Sequence, residues 1–167
     1  MSAKDLVGDA VLVGGAGFGA AMVMGKVTTF MYEQQSDGAK RQEEAASYGV
    51  AYNVAAKKGA ALVGQDMSDE QAGRIGSGIH YALALGWVPV YMVARRRWGM
   101  TPFGAGVVTG LSMAVLVDEV GNPLLGLTPP PQKYPLVTHL RGIAGHLVYG
   151  LSVAGFVEAG MRVMRRR

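Results

Sequence analysis

His80, His139 and His146 are the only histidines in the chain, and imidazole is the side chain that gains or loses charge near neutral pH and binds metals most often. Asp118 and Glu119 sit side by side in the apolar stretch VLVDEVGNPLLGL, with Asn122 four residues after Asp118. On a helix, Asp118 and Asn122 share a face while Glu119 points about 100° away, so the two acids are expected to have different partners. His139 and His146 stand seven residues apart, on a face shared with Gly142 and Gly150 that leaves room beside the rings. Arg141 is available to pair with an acid. Three chemistries suit this cluster. The groups can satisfy one another as hydrogen bonds between helices. His80 and His146 can ligate a metal or a bis-histidine haem from diagonal helices, although no Glu-x-x-His or His-x-x-x-His pair supports it. Or the histidines and carboxylates can pass protons or cations. No Ser/His/Asp arrangement, phosphate loop or pair of catalytic acids stands out, so neither an enzyme nor a resident cofactor is expected.

Ionisable groups matter here because of where the composition places them. The chain has 167 residues, 50% of them hydrophobic, with 25 glycines and no cysteine; its mean hydropathy is +0.21. Charged residues make up 17%, against about a quarter in an ordinary soluble domain. Without cysteine there is no disulfide framework, thiolate metal site or cysteine nucleophile. The net charge of +4 comes from basic residues at the ends of apolar segments, not from a patch, so no nucleic-acid partner is expected.

A hydrocarbon core about 30 Å thick takes roughly 20 apolar residues in a helix. Segments at about residues 6–32, 73–94, 102–125 and 138–164 meet this length, so the expected fold is an all-α bundle of four transmembrane helices in one domain. Each segment is rich in Gly and Ala, with small residues four apart at Gly15/Gly19, Gly17/Ala21/Gly25 and Gly106/Gly110, as in helices that pack on protein. The N-terminal segment reads as a membrane helix and not a signal peptide, because one lysine precedes it and Asp9 interrupts it. If the helices alternate, Lys4, Arg95, Arg96, Arg97, Arg165, Arg166 and Arg167 share one side. The positive-inside rule makes that side cytoplasmic, with both termini inside.

The one sizeable polar segment, about residues 38–64, is expected to form a single amphipathic helix at the outer surface. Its stripe would be Ala45, Tyr48, Tyr52, Ala55 and Leu62, with the tyrosines at headgroup depth. Ser68, followed by two acids, reads as the N-cap of the second span. Prolines 129–131 and 135 stiffen the last loop. Glu158 and Arg162 are spaced as an i, i+4 pair. A repeat is also visible: FGAAMVMGKVTTFMYE from Phe18 aligns with FGAGVVTGLSMAVLVD from Phe103, and GSGIHYALALG from Gly76 with GIAGHLVYGLS from Gly142. This matches Glu33 with Asp118 and His80 with His146, as two hairpins in the same orientation.

The strings DEVGNPLLGLTPPPQKYPLVTH and AGHLVYGL, with AYNVAAKKGAALVGQDMSDEQAGRIGSGIHYALALG before them, resemble the YagU-like family of small bacterial inner-membrane proteins. The resemblance spans about residues 50–160 and implies an integral inner-membrane protein of undefined biochemical function. By resemblance, His80, Tyr81, Asp118, Glu119, Pro123, Gly126, Tyr134, Pro135, His139, His146 and Tyr149 fall on motif positions. The third proline of TPPP and the charge at Arg141 depart from the pattern. Two functions are expected to compete: a non-catalytic small subunit or scaffold on a larger membrane assembly or a homo-oligomer, and a small proton or cation transporter built on the His/carboxylate cluster.

Overall fold

The apolar segments become four long helices in a computed structural model that describes residues 3–165, with side chains from Gly8 to Met164. They are α1 (Ala3–Glu33), α4 (Asp69–Arg96), a composite span Pro102–Leu124, and α7 (Leu136–Arg165). The composite span consists of α5 (Pro102–Met113), a π-helical segment (Ala114–Gly121) and the short α6 (Asn122–Leu124). Two short helices, α2 (Asp37–Ala46) and α3 (Ala51–Leu62), join α1 to α4. The protein is an all-α bundle with four helices long and apolar enough to cross a membrane.

Local signals set the helix starts. Ser68 Oγ accepts from the Gln71 N–H at 3.3 Å, and Gln71 Oε1 accepts from the Ser68 N–H at 3.0 Å, closing a capping box before α4. Thr101 accepts from the Gly104 N–H at 3.1 Å, and Pro102 follows it at the first helical position of α5. The helices run alternately up and down: α1 and α5 each pack against both α4 and α7, and α4 and α7 lie diagonally opposite.

The core is thin, with alanines on α1 packed against two buried tyrosines and several valines. Ala16, Ala20 and Ala21 of α1 meet Ala84, Val88 and Tyr91 of α4 and Tyr149, Val153 and Val157 of α7. Glycine sets the helix separation between α5 and α7. A Cβ on Gly106 would lie 2.9 Å from the Gly150 carbonyl oxygen, and one on Gly110 would run into the carbonyl of His146. Large apolar side chains point outward instead, among them Phe18, Phe30, Phe103, Leu111, Leu116 and Phe156. The accessible surface is 9884 Å², against about 7,900 Å² for a soluble globular protein of this mass. A lipid environment explains both, since helices in hydrocarbon need not hide apolar side chains from solvent.

The polar connection departs from the expected single amphipathic helix. The helix breaks at residues 47–50, where Gly49 takes φ +100° and its N–H bonds Ser47 Oγ at 3.0 Å. A left-handed glycine and a serine that captures the backbone cannot continue a helix. The expected stripe is cut with it: Ala45 lies on α2, Tyr48 in the break, and Tyr52, Ala55 and Leu62 on α3. The buried face of α3 is Ala56 and Ala60, docked on α4 where Gly76 leaves room for Asn53.

At the end opposite these short helices, Arg96 grips Asp9 through two bonds of 2.8 Å. Arg95 bonds Glu158 at 2.8 Å, and Tyr91 donates to the same Glu158 oxygen at 3.1 Å. Glu158 therefore pairs across helices and not with Arg162, because a partner on the facing helix also closes the core. Arg166 and Arg167 lie outside the described residues, as do the side chains of Lys4 and Arg165.

Candidate functional site

The polar cluster forms at the end of the bundle covered by α2 and α3, and a local distortion makes it. Pro123 has no N–H, and its ring crowds the carbonyl one turn earlier. Over Ala114–Gly121 the helix widens into π geometry. Gly121 permits this, because a Cβ there would lie 2.7 Å from the Leu116 carbonyl oxygen. Both acids of the DE pair then reach α7, on separate histidines as their spacing suggested.

Asp118 Oδ2 lies 2.7 Å from His146 Nε2, and Asn122 donates to Asp118 Oδ1 at 3.4 Å. His146 is 1% exposed, and its Nδ1 finds no hydrogen-bond partner. As the Nε2–H tautomer it donates to Asp118 and keeps a buried lone pair on Nδ1. Glu119 Oε1 lies 2.8 Å from His139 Nδ1, while His139 Nε2 meets the Pro131 carbonyl at 3.0 Å. A carbonyl only accepts, so Nε2 carries a hydrogen. The Glu119 to His139 contact then needs one more proton, held by either partner.

Arg141 bonds neither acid of the DE pair. It forks onto Glu43 of α2, at 2.5 and 3.1 Å, with Thr138 donating to Glu43 at 2.6 Å. The Arg141 guanidinium also lies 5.0 Å from the centre of the Tyr32 ring. Both charged side chains are 16% exposed. Residue spacing could not single out Glu43: its partner lies 98 positions away, and its own segment reads as a solvated polar face. An arginine inside an apolar helix was the available signal that some acid had to come to it.

His80 stands one layer aside. Its ring lies 5.0 Å from that of Tyr52 and 5.3 Å from that of Tyr81. His80 and Glu33 line one surface cleft, whereas their repeat counterparts His146 and Asp118 are bonded. With His146 Nε2 engaged by Asp118, its Nδ1 is the nitrogen left for a ligand. Among the described residues, no group of three or more His, Asp or Glu is placed to hold a metal ion.

Asp118, Glu119, Asn122, His139 and Arg141 line a common cavity of about 290 Å³, walled by Tyr52, Tyr134 and the proline loop and roofed by residues 47–51. Burial, and then the negative charge of Asp118, pushes the Tyr52 phenol up to about 12. Burial also pushes Tyr134 upward. The cavity ends below in a closed core: the Tyr149 hydroxyl donates to the Ala84 carbonyl, and Val88, Tyr91 and Val153 are fully buried. The site can therefore hold a polar guest at one end of the bundle, with His146 behind Asp118. A scan against protein-family models and comparisons with curated proteins and with solved structures return no match for this chain.

Proposed function

We propose that this protein is a non-catalytic component of a membrane assembly, packing on another membrane subunit or on a second copy of itself through the outward face of α4. One observation carries the reading. Gly78, Ala82 and Gly86, spaced four apart, are all exposed on that face, and a Cβ on either glycine would meet no atom within 4 Å. Ile79, Leu83, Trp87 and Val90 border the groove they leave. Elsewhere the bundle uses such glycines to bring helices together, as Gly17 does for α1 on α4. Helices in lipid associate through small residues of this kind. The arginines at the far end support a bacterial inner-membrane placement with both termini cytoplasmic, in keeping with the YagU-like resemblance.

Native extraction in lipid particles followed by mass spectrometry tests this. The wild type should emerge with a partner or as a defined oligomer, and Gly86→Leu should release a folded monomer. Wild-type protein that is monomeric and alone would overturn the reading.

A second reading, proton or cation transport, draws on the cavity that reaches Asp118. It requires the closed layer at Tyr149 to open. Ion flux in liposomes that is lost in His80→Ala and Asp118→Asn, with assembly intact, would favour it over the scaffold.

A further inference from the structure

We propose that the cavity at the covered end binds a small organic cation carrying a primary ammonium group. This does not depend on how α4 is partnered. Arg141, the permanent cation in the cavity wall, is spent: both terminal nitrogens lie on Glu43, and its face lies over Tyr32. Asp118 and Glu119 are different. Each is held by one histidine, yet their side chains remain 35% and 31% exposed and both line the cavity. Carboxylates accept several hydrogen bonds each, so the unused capacity here is for donors. Glu43 offsets that arginine and the extra proton offsets Glu119, so Asp118 leaves the cavity wall with one net negative charge.

Size and wall chemistry narrow the guest. The volume, about 290 Å³, is far more than a bare metal ion needs, and no three-ligand group converges in the described residues. Tyr52 and Tyr134 add aromatic walls, which favour a cation with a carbon body. The free acceptor capacity of the cavity lies on the Asp118 and Glu119 carboxylates, each of which has one histidine partner. A primary ammonium offers three N–H groups to such acceptors. It can come from a free amine or from the headgroup of phosphatidylethanolamine, since the cavity opens where the bundle meets its surface helices.

The test is calorimetric titration of ethanolamine into the protein in phosphatidylcholine nanodiscs, with native mass spectrometry of lipids retained from mixed phosphatidylethanolamine and phosphatidylcholine discs. Saturable ethanolamine binding assigns a soluble amine, and selective retention of phosphatidylethanolamine assigns the headgroup; either supports the proposal. Asp118→Asn with Glu119→Gln should weaken binding by about tenfold or more, the worth of one hydrogen bond to a charged group. Gly142→Leu is the second variant. A Cβ there meets only Asp118 Oδ2, at 3.9 Å, so the side chain fills the cavity without removing a charge, and it should abolish binding. Arg74→Gln, at an exposed pair away from the cavity, should bind as wild type does. Neither ligand binding, choline or acetate binding as tightly as ethanolamine, or binding that survives Gly142→Leu would overturn the proposal.

Discussion

Asp118 and His146 meet at 2.7 Å across the seam between the π-helical segment and α7, and the backbone of the same His146 forms the floor on which Gly110 rests. One residue thus joins the glycine crossing of α5 and α7 to the polar cluster. Between membrane helices a hydrogen bond contributes on average about 0.6 kcal/mol, and at most about 1.7. Asp118→Asn and His146→Gln should each destabilise the bundle by that order, with a double variant costing less than the sum. Steric-trap unfolding in bicelles would measure the cycle; strict additivity would mean that the pair is not coupled.

The crossing itself should tolerate nothing larger than hydrogen. Gly150→Ala places a methyl group against the Gly106 carbonyl, whereas Gly155→Ala, on the same helix, meets nothing within 4 Å. Gly150→Ala should sharply lower the yield of folded protein. Gly155→Ala should match wild type or gain up to about 1 kcal/mol of helix propensity. Thermal unfolding of the two in one detergent decides it.

The Glu43 to Arg141 fork clamps α2 onto α7. In Glu43→Gln the arginine keeps weaker acceptors, and α2 should exchange its amide hydrogens faster by a factor of several while the four spans keep their protection. Exchange mass spectrometry reads this directly. Unchanged protection over residues 37–46 would show that α2 is held by its other contacts, such as the 2.8 Å bond from Tyr32 to Glu44.

Alkaline pH offers a test at Tyr52. Its phenol is raised from 10.0 to about 12, by burial first and then by Asp118. The folded protein therefore holds this proton more tightly than the unfolded chain does. The associated stability is complete below about pH 10 and is lost as pH rises through about 12. Denaturation between these limits should show stability falling with pH, and Tyr52→Phe should flatten the slope.

Much of the architecture was legible because lipid is a simple solvent. Length and apolarity located four spans, Ser68 announced the N-cap of α4, and the DE pair in VLVDEVGNPLLGL read as two acids with separate partners. What stayed hidden depended on contacts distant in sequence or on local competition. The polar segment read as one amphipathic helix because periodicity does not register how Ser47 and Gly49 together interrupt it. Glu158 read as a partner of Arg162 because both choices satisfy its charge, and only the approach of α4 decides between them.

By itself, the sequence determined that this chain crosses a membrane as helices and that its ionisable residues must find company there, since hydrocarbon tolerates neither open backbone nor lone charge. Tertiary structure alone decided which company. Arg141 went to Glu43, His139 to Glu119 and His146 to Asp118, because glycine crossings fix how deep each helix sits and the π-helical segment before Pro123 brings both acids within reach of α7. The same packing left a cavity where those groups meet. No pattern along one helix can encode a space enclosed by several elements.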